Sequence, residues 1–247
     1  MELQDRVAIV TGGAVRIGRA LSLRLAAAGM RVCLHYGSSE QGAKQTSNEI
    51  RSAGGQVVTV QADLGTPVEA ATTIIEAALS AFGKVDVLVN NASIFHSGSL
   101  SELSLEDWTR HQRINLEAPL FLSQKFAEQI NVSQSGAIVN IVDWRALRPQ
   151  PGHLSYTLSK AGLVCLTQIL AQELAPRVRV NAIAPGAILP PPDADAGHLE
   201  QVAKAIPLQR TGSPANIAEA VLFLLQNDFV TGEVLHVTGG QQLRVPQ

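Results

Sequence analysis

Short apolar runs alternate with longer stretches of helical periodicity along the whole chain. Val7 to Val10, Arg31 to Tyr36, Val57 to Ala62, Val85 to Val89, Ala137 to Val142, Val178 to Ile183 and Val234 to Val237 predict seven strands. Helices are predicted between them over Ile17 to Ala28, Glu40 to Ala53, Pro67 to Phe82, Ser104 to Arg113, Leu116 to Ile130, His153 to Leu174 and Pro214 to Gln226. A further short helix follows the Pro-rich, acidic residues 189–195. Gly29 stands where a helix C-cap belongs, and Pro67 opens its helix. The strands lack strict apolar–polar alternation, as parallel strands covered on both faces do. This order predicts an α/β fold: a doubly wound parallel sheet with helices on both faces. No repeat, low-complexity segment or linker interrupts residues 1–247, so one domain is expected, with a substrate loop near 187–206.

In such a sheet, ligands bind beyond the carboxyl ends of the strands. Thr11, His35, Asp63, Asn90, Asp143 and Pro185 all stand at such ends. The turn Thr11-Gly12-Gly13-Ala14-Val15-Arg16-Ile17-Gly18 joins the first strand to the first helix. Glycine lets the backbone approach a pyrophosphate, and the helix N-terminus offers free N–H groups. The end of the second strand speaks to the choice of cofactor. An acid there would hold the ribose 2′-hydroxyl of NAD. This chain has His35-Tyr36-Gly37-Ser38-Ser39 and no acid before Glu40. A cation at Arg16, an imidazole and two hydroxyls suit a 2′-phosphate, so NADPH is expected. Ser38 or Ser39 also reads as a helix N-cap.

Composition narrows the setting. A net charge of −2 and a pI near 6.3 give no basic footprint for nucleic acid. No uninterrupted apolar run reaches membrane-spanning length, and the chain passes from Met1 almost directly into a strand, so a cytoplasmic protein with no membrane partner is expected. Cys33 and Cys165, inside a predicted strand and a predicted helix, read as buried free thiols. No metal-ligand set is assigned.

The stretch from Asp143 to Lys160 carries the candidate chemistry. A carboxylate closes an apolar strand, and Tyr156 and Lys160 stand four apart on one helical face. A phenol beside an ammonium is a proton donor whose anion the positive charge favours.

These residues resemble the short-chain dehydrogenase/reductase family over nearly the whole chain, which implies a Rossmann-like fold. The family's glycine turn corresponds to Thr11 through Gly18, with Arg16 in place of a glycine. Its acid after the third strand is Asp63, followed by Leu64. Its Asn-Asn-Ala-Gly segment is Asn90-Asn91-Ala92-Ser93, its helix asparagine is Asn115, its Tyr-x-x-x-Lys is Tyr156 and Lys160, and its Pro-Gly is Pro185-Gly186. Pro190 replaces a threonine. The resemblance implies cofactor contacts from Gly12, Arg16, Ile17, Gly18, His35, Tyr36, Ser38, Ser39, Asp63, Leu64, Asn91, Ala92, Ser93, Tyr156, Lys160, Pro185, Gly186 and Ile188. It implies catalytic roles for Tyr156, Lys160 and Asn115, the last supporting a water relay.

At the family's catalytic serine stands Asp143. An ionised carboxylate accepts hydrogen bonds and cannot donate them. It suits a substrate bearing ring N–H and amino groups better than a ketone. That replacement, Arg16, Leu34-His35-Tyr36 and Phe95 two residues past Ser93 are similar to the pteridine reductase subgroup, although Ile94 departs from its usual polar residue. The resemblance implies an NADPH-dependent reductase of pterins, with folates as further substrates. Its substrate contacts would be Arg16, Ser93, Phe95, Asp143, Tyr156 and Leu189, with Phe95 stacking on the ring and Asp143 either orienting it or donating a second proton. Leu189 and Pro190-Pro191-Pro192 would close over the pocket, with Asp193 and Asp195 solvated. Two rivals stand beside this reading: a ketone reductase acting on a 3-oxoacyl thioester or a sugar, and a non-catalytic NADPH-binding sensor. The family also implies a homotetramer built through the helices at Leu116 to Ile130 and His153 to Leu174, where Ala161 and Gly162 would permit close contact.

Overall fold

A computed structural model describes residues 1–131, 134–190 and 197–243. It contains a seven-stranded parallel sheet in the order β3-β2-β1-β4-β5-β6-β7. The strands are β1 (Val7–Val10), β2 (Arg31–Tyr36), β3 (Val57–Gln61), β4 (Val87–Asn90), β5 (Gly136–Ile141), β6 (Val178–Pro185) and β7 (Val234–Val237). The helices are α1 (Arg16–Ala27), α2 (Glu40–Ser52), α3 (Pro67–Phe82), α4 (Leu105–Gln112), α5 (Ala118–Gln129), α6 (Leu154–Glu173), α7 (His198–Ala205) and α8 (Pro214–Gln226). The fold is thus the doubly wound, Rossmann-like α/β sheet that the pattern predicts. The order reverses between β1 and β4, which opens a crevice beyond their carboxyl ends.

The absence of alternation in the strands has a direct cause. Ala8 and Val10 face the layer formed by α1 and α8, while Ile9 faces the layer of α3, α5 and α6. Val32 and Leu34 divide from Cys33 in the same way, as do Val87 and Val89 from Leu88. Both faces of these three strands are buried, so each position favours an apolar side chain, worth roughly 1.5–3 kcal/mol apiece for the larger ones. Burial pushes the Cys33 thiol up to about 12. Cys165 departs from expectation: it is exposed, on a solvent-facing stripe of α6.

Most boundaries fall within one or two residues of those predicted. The helices expected over 104–113 and 116–130 are one continuous helical run. A π turn over Arg113–Glu117 joins α4 to α5. No Gly or Pro breaks the sequence there, and Pro119 falls in the first turn of α5, where its missing N–H is tolerated. Short 3₁₀ turns at Leu100–Glu102, Trp144–Ala146 and Gln241–Leu243 are too brief to leave a periodic signature. The helix α6 is long and apolar enough to cross a membrane by length and composition. Its apolar residues instead pack into the core beside β5 and β6. Gly162 does not reserve space for another subunit, because a Cβ there would meet Leu116 Cδ2 of the same chain at 2.8 Å.

The two edges of the sheet do different work. At the amino edge, Asp86 accepts from Val7 N at 2.8 Å and Arg6 Nη1 at 2.7 Å, with Lys84 Nζ at 3.1 Å. Its side chain is only 8% exposed, so the buried carboxyl depends on these partners. Asp86→Ala removes that acid and leaves Val7 N–H unpaired, at a cost of about 3 kcal/mol. Urea unfolding should show a lower midpoint with an unchanged slope, and turnover at the opposite edge should persist.

Candidate active site

The glycine turn is held from three directions. Thr11 Oγ1 accepts from the backbone N–H groups of Asn91 (2.9 Å) and Ala92 (3.0 Å), and Asn91 Nδ2 donates to Thr11 O at 2.8 Å. From β2, the carbonyl of His35 accepts from Gly13 N at 2.9 Å. The His35 ring accepts from Gly12 N through Nδ1 at 3.2 Å, which leaves Nε2 to donate to Ala62 O at 3.1 Å. Gly12 takes φ +60°, and a Cβ on Gly18 would sit 1.9 Å from Gly12 O. Neither position accepts another residue without moving the backbone. The result is a firmly held glycine turn at the N-terminus of α1, a place that favours anions.

His35 does not play the part expected of it. It is 2% exposed and both ring nitrogens are engaged inside the protein. Burial holds its pKa below the usual histidine value, so it is a neutral brace for the turn rather than a cation facing a phosphate. Arg16 also points elsewhere. Its backbone takes φ +54°, explaining why glycine suits the position in related turns, and Nη2 donates to Pro190 O at 2.8 Å. Arg16 therefore ties the glycine turn to the segment after β6. Ser38 is exposed, and the Ser39 hydroxyl makes no capping bond to α2. Both hydroxyls remain available at the end of β2, beside half-buried Tyr36.

Other expected contacts line the same crevice. Asp63 is exposed and uses Oδ1 to accept from Gly65 N at 2.8 Å. Leu64 and Ile188 are buried apolar walls, and Ile17 packs partly into the core. Pro185 and Gly186 are braced by the C-terminal 3₁₀ turn: Gln241 Oε1 accepts from Ala187 N at 3.0 Å, and a Cβ on Gly186 would clash with it. Leu189 is half-buried, while Pro191, Pro192, Asp193 and Asp195 lie outside the described residues.

The polar groups of β5 and α6 converge next to this turn. Tyr156 Oη donates to Asp143 Oδ2 at 2.9 Å. Asp143 Oδ1 accepts from Arg145 N at 2.8 Å, and Arg145 Nη1 lies 3.6 Å from Oδ2. Asp143 is thus both the cap of the Trp144–Ala146 turn and the partner of the phenol, through different oxygens. Lys160 is 2% exposed and donates to Ile141 O at 2.7 Å. Its Nζ is 6.0 Å from the Tyr156 ring centre. Burial lowers the Lys160 pKa to about 8, against the opposing pull of Asp143. Burial first, then the charge and hydrogen bond of Asp143, raise the Tyr156 phenol well above its usual value. The only opposing pull comes from the charge of Arg145, not from Lys160 as expected; it is outweighed, and the phenol holds its proton.

Asn115 sits in the π turn, fully buried. Its Nδ2 donates to Ile94 O and Ser159 Oγ, both at 3.1 Å, and its Oδ1 accepts from Ser93 Oγ (3.1 Å) and Ile94 N (3.0 Å). Two donors and two acceptor sites are all used, so the side chain has nothing left for a water relay. It joins the segment after β4 to α6 through Ser159, whose hydroxyl donates to Tyr156 O at 2.7 Å. Phe95 is 36% exposed and belongs to the site. Its ring stacks on His153 at 4.3 Å and meets the Tyr156 ring edge-on at 4.7 Å, with the Arg145 guanidinium 5.8 Å from its centre. Thr11, Arg145, His153, Ser159 and Gln241 are parts of this site without an assigned role in the sequence reading. Only long-range contacts reveal them.

This geometry is matched in known proteins. A family model described as enoyl-(acyl carrier protein) reductase matches residues 13–242. The chain belongs to the short-chain dehydrogenase/reductase family, and it is an NAD(P)-dependent oxidoreductase. It is 37% identical to a 3-oxoacyl-[acyl-carrier-protein] reductase of Synechocystis over 96% of this chain and 97% of that one. Among solved structures, it resembles FolM alternative dihydrofolate reductase 1 from Brucella canis, complexed with NADP. That likeness has a TM-score of 0.95 and 35% identity, covering 100% of this chain and 97% of the other. A short-chain dehydrogenase/reductase from Serratia marcescens gives a TM-score of 0.91 and 34% identity, covering 98% and 100%.

The buried lysine has a measurable consequence. A base whose folded pKa is lowered binds fewer protons folded than unfolded between the two values, so stability rises with pH in that window. For Lys160 the window runs from about 8 to 10.5. Below it the penalty is fully present, on the order of 3 kcal/mol at about 1.4 kcal/mol per pKa unit. Lys160→Met lacks this penalty. Its unfolding free energy should exceed that of the wild type at pH 7, and the gap should narrow as pH approaches 10.5.

Proposed function

We propose that the chain is an NADPH-dependent reductase of pterins, acting on a dihydropterin and on related folates. The observation that carries this reading is the hydrogen bond from Tyr156 to Asp143. The position next to the phenol holds a group that accepts hydrogen bonds, and the phenol itself is protonated. A ketone oxygen at this point would face one donor and a carboxylate that repels it. A pterin edge, with its ring N–H and amino group, gives the carboxylate two donors to bind. Similarity alone does not separate the two readings, because oxoacyl reductases and the Brucella FolM proteins lie at comparable identity. Asp143 favours the second.

A nicotinamide bound in the crevice would supply the hydride to a C=N carbon of the substrate. Around it, Tyr156 gives a proton to a ring nitrogen. Lys160 carries positive charge beside the phenol as the proton leaves. Asp143 orients the substrate edge, and its second oxygen stays tied to Arg145 N. Phe95 offers its exposed area to the ring, and Arg16 and Leu189 form the opposite rim. Asn115 and Ser159 keep the segment carrying Ser93 and Phe95 in register with α6. A cytoplasmic enzyme assembled as a homotetramer belongs to the same reading, supported by exposed Leu120 on α5 and by Leu158 and Ile169 on α6.

Loss of NADPH absorbance with dihydrobiopterin, dihydrofolate and an oxoacyl thioester tests the assignment. Pterin turnover should dominate, and Tyr156→Phe should reduce it by about 10²–10⁴. Asp143→Ser should lower pterin turnover and raise ketone turnover. Efficient reduction of the thioester by the wild type, with the pterins ignored, would sink the proposal. An unchanged rate in Tyr156→Phe would remove the proton-donor role.

The preference for NADPH is supported by the lack of an acid at the end of β2 and by the two free hydroxyls there. The Brucella proteins were solved with NADP. A Cβ on Gly37 would meet nothing within 4 Å, so an acid fits there without strain. Gly37→Asp should raise KM for NADPH at least tenfold, about 1.4 kcal/mol or more, and affect NADH much less.

A further inference from the structure

Three side chains outside the catalytic machinery form a second cluster of ligating groups. Asp107 and His111 stand one turn apart on α4, and His96 comes from the segment after β4. His96 Nδ1 is 3.0 Å from Asp107 Oδ1, and His111 Nδ1 is 3.3 Å from Asp107 Oδ2. The two imidazoles meet edge to face with centres 5.2 Å apart, and one donor from each residue lies within 4.8 Å of the other two. In a tetrahedral zinc site with bonds of about 2.0–2.1 Å, donors stand roughly 3.3–3.5 Å apart. The cluster needs only a small contraction to reach that spacing, and exposed His96 is the member free to move.

Two further features favour a cation over a simple hydrogen-bonded array. His111 is fully buried; its Nδ1 donates to Asp107 O at 2.9 Å, and its Nε2 has no hydrogen-bond partner. Ligation through Nδ1 moves the ring hydrogen to Nε2, the one nitrogen of His111 that no other group occupies. A cavity of about 210 Å³ also adjoins the cluster, with His96, Asp107, Glu102 and Ser155 in its wall. It leaves room for water in an open coordination position.

We propose that His96, Asp107 and His111 bind a divalent first-row transition cation, with zinc the best match to two imidazoles and one carboxylate. The site is structural. His96 follows Phe95 directly, and its carbonyl is bonded to His153 Nδ1 at 3.1 Å, the ring on which Phe95 stacks. A cation here fastens the substrate-facing segment to α4 and, through His153, to the start of α6. The site does not depend on the identity of the substrate.

Untagged protein, stripped with a chelator and dialysed, is titrated with zinc sulfate by calorimetry and with cobalt(II) by visible absorption. One equivalent should bind with micromolar or tighter affinity, and cobalt should give the d–d band of a low-symmetry site. His96→Ala and Asp107→Asn should each weaken binding at least tenfold while keeping the wild-type circular dichroism. His96 is exposed, so its variant remains informative if substitution of His111 impairs folding. Absence of saturable binding, or unchanged affinity in His96→Ala, overturns the proposal.

Discussion

The hydrogen bond between Tyr156 and Asp143 organises the site, and it exists because β5 and α6 are packed against each other. Asp143 follows the end of β5, two residues after the carbonyl that holds Lys160. Leu163 and Val164 of α6 share a small apolar cluster with Val142, Ala146, Ala182 and Ala184. That packing fixes the helix so that the phenol and the ammonium reach the end of the same strand. The chemistry therefore rests on apolar contacts that take no part in it. The same burial excludes water from Tyr156 and Lys160, which pushes both towards their neutral forms. A lysine in this position is costly to the fold.

The Asn115 hub shows how a polar network can replace packing where the backbone is irregular. A π turn shifts the helical register and leaves backbone groups out of the usual pattern. Here it presents one amide side chain to two separate segments: the one after β4, through the Ile94 backbone and the Ser93 hydroxyl, and α6, through Ser159. Every hydrogen-bonding site of that amide is satisfied, so the arrangement avoids the cost of an unpaired buried polar group. The turn is thus specified by its side chain as much as by its backbone.

The strand and helix positions, though not the strand order, were legible because double-sided burial imposes one apolar rule on residues such as Ala8, Ile9 and Val10. The glycine turn and the Tyr156–Lys160 pair were legible because their spacing is local. The inward turn of His35 was not legible, because residue type suggests an imidazole offered to a phosphate, whereas burial and two internal partners use both ring nitrogens. Asn115 was assigned a relay because residue type does not reveal how many of its hydrogen-bonding sites are already used. The stack of His153 on Phe95 joins residues far apart in sequence, so no periodicity points to it. Asp107 and His111 have the spacing of a helical pair, yet the third group, His96, joins them only through tertiary structure.

Phe95 illustrates how these constraints narrow the substrate's approach. Its ring is not a free surface awaiting a ligand, since His153, Tyr156 and Arg145 already border it. The residue keeps 36% of its surface exposed, and Tyr156, whose hydroxyl is bonded to Asp143, stands edge-on to its ring at 4.7 Å. A flat heterocycle placed there must satisfy two demands together: an apolar face for Phe95 and an edge rich in N–H donors for Asp143. An acyl thioester offers a flexible chain and a carbonyl acceptor, meeting neither demand well. Under the proposed function, selectivity would be geometric as well as electrostatic, because stacking would fix the plane in which the carboxylate finds its donors.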